Sequence, residues 1–227
     1  MNDWIPVNGM VISAMPIGEY DRRLLLLTAE LGKISAFVRG GRRSGNPLQS
    51  AGRLFAFGRF ELYAGRSAYT VKSAEIRDYH EFLSADPEAM CYASYFSELA
   101  DYYGQEGAED TELLKLLVCA VRSLKNPRLD RALVRYTYEL KLLQTEGEAM
   151  PEPPAETGES ARRAWQYVLE TDAERCFLFR LEAEPFREFA GNVARMRSEM
   201  IDRSFRSLKV LEDFLSLKPL EKTNKEE

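Results

Sequence analysis

"RRLLLLTAELGKISAFVRG", residues 22–40, decides the fold class. Two short apolar runs, one beginning at Leu24 and one at Ile34, flank Glu30-Leu31-Gly32-Lys33. Each has the length of a strand, not of a helix, and Gly32 can supply the positive φ of a tight turn, so the stretch reads as a β-hairpin. Upstream, "VNGMVISAM" alternates in part at Val7, Met10 and Ile12, between Gly9 and Pro16. Downstream, "LFAFGRFELYAG" sets Phe55, Phe57, Phe60, Leu62 and Tyr63 near a period of two, with a bulge expected at Gly58. "SAYTVKSAEI" follows the turn Ala64-Gly65-Arg66. Five strands within about eighty residues suit a small closed β-barrel, the OB-fold among them.

After His80 the pattern turns helical. "SADPEAMCYASYFSELADYYG" starts with Asp86 as N-cap and Pro87 at the first helical position, carries Met90, Tyr95, Leu99 and Tyr102 or Tyr103 on one face, and stops at Gly104. "TELLKLLVCAVRSLKNP" is ended by Asn126 and Pro127. In "RLDRALVRYTYELKLLQTEG", Leu129, Leu133, Tyr136, Leu140 and Leu143 form one buried stripe, closed by Gly147. A Pro-rich loop spans 146–160. "ARRAWQYVLE" and "AERCFLFRL" read as shorter helices, and residues 184–217 as one long helix bent near Gly191. The charged tail, 218–227, reads as frayed. The expectation is an α+β multidomain chain: an OB-fold barrel over 1–80, then an all-α helical bundle over 81–227.

The chain has 227 residues, 45% of them hydrophobic and 30% charged, enough for one or two cores. No apolar run approaches the roughly 20 residues of a membrane helix, and "MNDWIPVNG" lacks the pattern of a signal peptide. A soluble protein with no membrane partner is expected. Three scattered cysteines, Cys91, Cys119 and Cys176, suit a reducing cytoplasm, and a single histidine, His80, leaves no zinc-ligand set. Charge is unevenly divided: residues 1–80 hold 11 basic and 7 acidic side chains, the rest 20 and 29. Residues 33–60 carry six basic residues and no acid. Such a local field inside an acidic protein points to a phosphate-rich partner, the plainer alternative being a basic loop kept for solubility.

No phosphate-binding loop or nucleophile elbow is present. Glu19 and Asp21 could pair for acid–base work but read more simply as turn residues, and Glu61 and Glu75 as solvated or paired acids. Binding, not turnover, is the expectation. Its centre is "VRGGRRSGNPLQSAGR", residues 38–53, with four arginines, four glycines and no acid. Arg39, Arg42, Arg43 and Arg53 could hold phosphates in fork geometry, with Lys33, Arg59, Arg66 and Lys72 adding charge from adjoining strands and turns. Phe37, Phe55, Phe57, Tyr63 and Tyr69 supply rings, most of them needed for the barrel core and a few free to stack on bases. Such binding falls with salt and reads little sequence.

The ordered series Gly18, Glu19, Asp21, Thr28, Gly32, Lys33, Gly40, Arg42 and Arg43, followed by "KSAEIRDYHEF", "YFSELADYY" and "RYTYELKLLQTEG", resembles the bacterial RecO family of DNA-repair proteins from about Val7 to Gly147. The resemblance implies an N-terminal OB-fold, a helical C-terminal domain and a recombination mediator without enzymatic turnover. It implies binding of single- and double-stranded DNA, strand annealing, and cooperation with RecR in loading RecA on DNA coated by single-strand-binding protein. A cytoplasmic, nucleoid-associated protein follows. Many members carry a four-cysteine zinc module where this chain has "EGEAMPEPPAETGES", so no cofactor and no zinc are expected.

Many members also bind the acidic C-terminal tail of single-strand-binding protein, which wants an apolar pocket rimmed by cations. Arg128, Arg131 and Arg135 beside Tyr138 are one candidate flank, Arg195, Arg203, Arg206 and Lys209 another; either could instead be a solvated helix face. Two other readings stay open: an adaptor whose acidic helical half recruits proteins, and an RNA-binding barrel.

Overall fold

The expected hairpin is present in the computed structural model, which describes residues 4–66, 68–150 and 152–217. β2 (Asp21–Thr28) pairs antiparallel with β3 (Gly32–Val38), from Arg22 opposite Val38 to Thr28 opposite Gly32. Gly32 adopts φ +63°, and a Cβ there would lie 1.9 Å from the Gln105 carbonyl oxygen, so both the turn and a close backbone approach require glycine. β1 (Ile5–Ile17) is long enough to serve both flanks: residues 9–17 pair with β2, and residues 5–10 with β4 (Phe57–Ala64). β4 pairs antiparallel with β5 (Tyr69–Asp78), with a register shift at Phe57/Gly58, where a bulge was expected, and another at Glu61/Leu62. A short parallel pairing, Ala36 with Tyr69 and Phe37 with Thr70, closes the barrel in the order β1-β2-β3-β5-β4. The inward-pointing set includes Val7, Val11, Leu24, Leu26, Ile34, Phe60 and Leu62.

β4 begins later than the phenylalanine pattern suggests. Phe55 takes φ +64°, leaves the strand alternation and packs, 2% exposed, into the core shared with the helices. Met10, Ile12 and Leu27 join it there, so the larger core runs continuously from barrel to helices. A one-turn helix, Glu81–Ser84, leads out of β5.

Six α-helices follow among the described residues: α1 (Pro87–Tyr103), α2 (Thr111–Ser123), α3 (Arg131–Thr145), α4 (Glu159–Glu170), α5 (Ala183–Met200) and α6 (Arg206–Leu217). Asp86 caps α1 by accepting from the Ala89 N–H, and Asp130 caps α3 by accepting from Ala132 and Leu133. Two expectations are corrected. "AERCFLFRL" is a turn, because its buried Ala173, Cys176 and Phe177 fill a single bend while Leu178 is 59% exposed. The expected long helix is two helices broken at residues 201–205, not bent at Gly191. Ile201 and Phe205 turn inward at the break, and the Phe205 ring packs 6.1 Å from Tyr95 and 5.8 Å from Tyr102.

α3 is central. Leu133, Leu140 and Leu143 are buried as the stripe requires, but so are Val134, Arg135, Thr137, Tyr138, Glu139 and Leu142, because α1, α2, α4 and α5 surround the helix. Residues 146–150 and 152–158 are irregular, and the tail at 218–227 lies outside the described residues. Among the described residues, no helix is long and apolar enough to cross a membrane.

Candidate nucleic-acid interface

The basic loop is built, not loose. Successive turns close it: Arg43 N–H donates to Gly40 O (2.9 Å), Gln49 to Asn46 O (2.9 Å) and Arg53 to Ser50 O (3.1 Å). The Asn46 amide donates to the Arg39 and Gly40 carbonyls at 3.0 and 2.8 Å, and its oxygen accepts from the Leu48 N–H at 2.8 Å. Ala51 and Ala56 are buried in the barrel core, and Leu48 packs against it. The glycine-rich composition predicts freedom to follow a ligand; the hydrogen bonds and the apolar plug instead fix the loop against one end of the barrel.

Its arginines surround the β1–β2 turn. Arg39, with a side chain 70% exposed, pairs with Asp21 at 2.8 Å, and the same carboxylate accepts from the Gly40 N–H at 2.8 Å. The Gly40 N–H and then the Arg39 guanidinium hold the Asp21 carboxyl below its ordinary range. Asp21 therefore acts as a fixed pin for the loop, as a turn residue would. Arg42 donates to the Gly18 and Glu19 carbonyls at 3.4 and 3.2 Å, and its own N–H binds Tyr20 O at 2.8 Å. Arg43 lies over the Tyr20 ring at 4.4 Å, with Tyr20 itself 41% exposed. Held through carbonyls and rings, Arg42 and Arg43 keep their charge facing solvent.

Arg53 sits farther along, 5.5 Å over the Tyr79 ring and 3.6 Å from Glu81, beside a cleft of about 470 Å³ that Arg22 and Arg42 also line. Arg22 was not singled out by its sequence, because it reads as a strand residue. Its parity points it to the barrel end, where it donates to Gly52 O at 2.8 Å. Arg59 is exposed on β4 opposite Glu75, and Arg66 is exposed in the β4–β5 turn. Lys72 lies 3.7 Å from Glu61 and 4.0 Å over the Trp4 ring. Lys33 is not part of this surface: it pairs with Asp101 of α1 at 3.0 Å across the barrel–helix seam, where its side chain is only 27% exposed. Among the rings, Tyr63 is 49% exposed, whereas Phe55 is core.

The first candidate flank for a protein partner requires correction. Tyr138 is fully buried and donates to Phe96 O at 3.0 Å, and Arg135, 5% exposed, binds Glu139 at 2.9 Å. Neither can face a partner, because α3 is enclosed on all sides. Arg131 bridges to Asp86 and to Glu88 (3.6 Å), and Arg128 is exposed in the turn ahead of α3. In the second group, Arg203 lies 5.8 and 5.7 Å over the Tyr102 and Phe205 rings. Arg195 donates to Asn192 at 2.7 Å, and Arg203 and Lys209 line a polar hollow between α5 and α6. Arg206 borders a different space: a largely apolar cleft of about 520 Å³ between barrel, α1 and α6, lined by Ile12, Leu25, Leu54, Met90 and Val210 among others.

His80 is 3% exposed, with its Nδ1 2.9 Å from Phe55 O, and burial draws its pKa down against the opposing pull of the Asp78 carboxylate. Cys176 is buried, and burial pushes its thiol up to about 12. Among the described residues, no three His, Cys, Asp or Glu side chains come together as a metal site, and the loop after α3 has no cysteine to offer a zinc ion.

The chain matches two family models in order: recombination protein O N-terminal over residues 1–80, and recombination protein O C-terminal over residues 84–151. It is 33% identical over 138 residues to the DNA repair protein RecO of Clostridium kluyveri, covering 61% of this chain and 54% of that relative. It is 31% identical over 138 residues to that of Clostridium novyi, with the same coverage, and 34% identical over 141 residues to that of Symbiobacterium thermophilum, covering 62% and 56%. The match spans little more than half the length of these relatives.

Proposed function

Since the chain belongs to the recombination protein O (RecO) family, we propose that it serves DNA repair by homologous recombination, binding single- and double-stranded DNA through the barrel and annealing complementary strands without enzymatic turnover. One observation carries this reading: Arg39, Arg42 and Arg43 are set around the β1–β2 turn on a rigid, acid-free loop, with Arg42 and Arg43 held by carbonyls and a ring. Phosphates can take up that charge without first displacing a carboxylate at Arg42 or Arg43. Arg39 must share with Asp21 through a direct 2.8 Å pair, whereas Arg43 acts on that carboxylate only at longer range. Replacing all three by alanine should weaken DNA binding and lower the salt slope on single strands by about 2, at roughly 0.7 per phosphate contact. A triple variant that binds and anneals like the wild type at several salt concentrations would falsify the loop assignment. Matched RNA and DNA competitors separate a DNA reader from a general nucleic-acid binder.

The finer role is cooperation with RecR in loading RecA on DNA coated by single-strand-binding protein, in the cytoplasm and at the nucleoid. The apolar cleft beside Arg206 supports the adaptor part of this role: its walls suit the ring of a peptide tail and Arg206 its terminal carboxylate, while the two acids that also line it are already engaged, Glu98 by the Arg206 and Ser207 N–H groups and Asp101 by Lys33. In the full chain, Val210→Asp should abolish capture of the tail peptide and leave DNA binding intact. Capture at wild-type affinity by that variant would move the tail elsewhere.

A further inference from the structure

The barrel carries a second set of rings and cations on its outer wall. Phe37 of β3 stands opposite Thr70 of β5, and Thr70 opposite Tyr63 of β4. Their neighbours Ala36, Val71 and Leu62 are buried inside, so alternation turns Phe37, Thr70 and Tyr63 outward in one row about 10 Å across. Trp4, just before β1, sets its ring edge-on to Tyr63, with centroids 5.6 Å apart and planes at 61°. Lys72 lies 4.0 Å over the Trp4 ring, and Arg39 lies 5.5 Å over Phe37 at the other end of the row. Trp4, Tyr63, Thr70 and Lys72 line a pocket of about 390 Å³.

Each component suits one task. A base offers a flat π-face to stack on a ring, an edge that a hydroxyl can meet, and a phosphate on each side that a cation can hold. Trp4 and Tyr63 supply the faces, Thr70 the hydroxyl, and Lys72 and Arg39 the flanking charge, which each shares with a carboxylate, Glu61 at 3.7 Å and Asp21 at 2.8 Å. The row also joins this pocket to the basic loop, since Arg39 follows directly from the strand that bears Phe37.

We propose that the Trp4–Tyr63 pocket holds a base of single-stranded DNA, while the adjoining backbone runs across Phe37 and Arg39 onto the arginines of the loop. This rests on the DNA-binding reading and adds a discrimination that phosphate contacts cannot provide. The loop accepts any phosphate backbone; the pocket accepts only an unstacked base, so it favours single strands over duplex.

The chain has two tryptophans, and Trp165 is 2% exposed, so Trp165→Phe leaves Trp4 as the reporter of stacking. That variant is titrated with oligo(dT), with an abasic oligonucleotide of equal length and with duplex, at low salt. All three should bind, and only oligo(dT) should quench Trp4 emission. In the otherwise wild-type chain, Tyr63→Ala and Trp4→Ala should each weaken oligo(dT) binding by roughly five- to 150-fold and leave abasic binding unchanged. Trp4→Phe should recover most of the loss. Equal quenching by the abasic strand, or wild-type affinity of both alanine variants for oligo(dT), overturns the pocket and leaves the loop reading standing. Failure of all three ligands to bind at low salt overturns the DNA-binding reading, and the pocket with it.

Discussion

Arg135 on α3 and Arg43 on the basic loop are each an arginine lying over a tyrosine ring, at 4.8 Å over Tyr136 and 4.4 Å over Tyr20. Their surroundings make them opposites. Arg135 is enclosed, and its charge is met by Glu139, whose carboxylate also takes the Tyr95 hydroxyl at 2.8 Å and lies 3.5 Å from Arg197. Arg43 is exposed and docked on an uncharged ring. A cation–ring pair is therefore not in itself a binding feature. It binds phosphate most readily where the cation stays solvated and no carboxylate pairs with it directly, because a phosphate then replaces only water and counterions.

The largest effect should come from breaking the enclosed member. Arg135→Ala leaves Glu139 with Arg197 alone and should cost about 3–5 kcal/mol, read as a fall in the urea midpoint at unchanged slope. Replacing the whole network, with leucine at 135, 139 and 197 and Tyr95→Phe, should recover much of that loss, since no buried charge or hydroxyl is then left without its partner. If Arg135→Ala unfolds at the wild-type midpoint, the enclosed network is not what secures α3.

His80 stands between the two extremes. It takes φ +48° and binds the carbonyl of Phe55, itself at φ +64°, so two left-handed residues lock the end of the basic loop to the exit of the barrel. Burial holds its folded pKa below the ordinary 6.5. The unfolded chain then takes up the proton first, so stability is flat above about pH 6.5 and falls as pH drops from there towards the lowered folded value. His80→Leu should cost about 1–3 kcal/mol near neutrality, because the Phe55 carbonyl loses its donor. It should also flatten the pH slope just below 6.5; a variant retaining that slope would assign it to another group.

How much of this was legible in the sequence follows from the same contrast. The strands are read well because each keeps a wet face and a dry one, so Leu24, Leu26, Ile34 and Leu62 announce their side. α3 is read poorly because it has no wet face. Its i, i+4 pair Arg135–Glu139 looks the same in sequence whether solvated or enclosed, and only the four helices packed around it decide. Lys33 belongs to the basic run by position, but its partner Asp101 is far along the chain. Trp4 lies ahead of any periodic pattern, and only the β3–β5–β4 register brings it to Tyr63, Thr70 and Lys72. The break between α5 and α6 escapes a helical reading because Ile201 and Phe205 fit the apolar spacing while leaving the helix.

The smallest effect on stability should come from the exposed member. Arg43→Ala removes a solvated cation and one ring contact, and should shift stability by no more than about 0.5 kcal/mol. The same substitution should lower the salt slope of single-strand binding by about 0.7, the share of one phosphate contact. Arg43→Lys separates charge from shape: it keeps the counterion release and the slope, and loses only the planar fit over Tyr20. Tyr20→Leu completes the set, since it frees Arg43 from its platform while leaving the charge in place. If Tyr20→Leu weakens DNA binding as much as Arg43→Ala, the ring's role is to hold the guanidinium where the phosphate arrives. If binding stays at the wild-type level, the ring is a resting place and charge alone does the recognising.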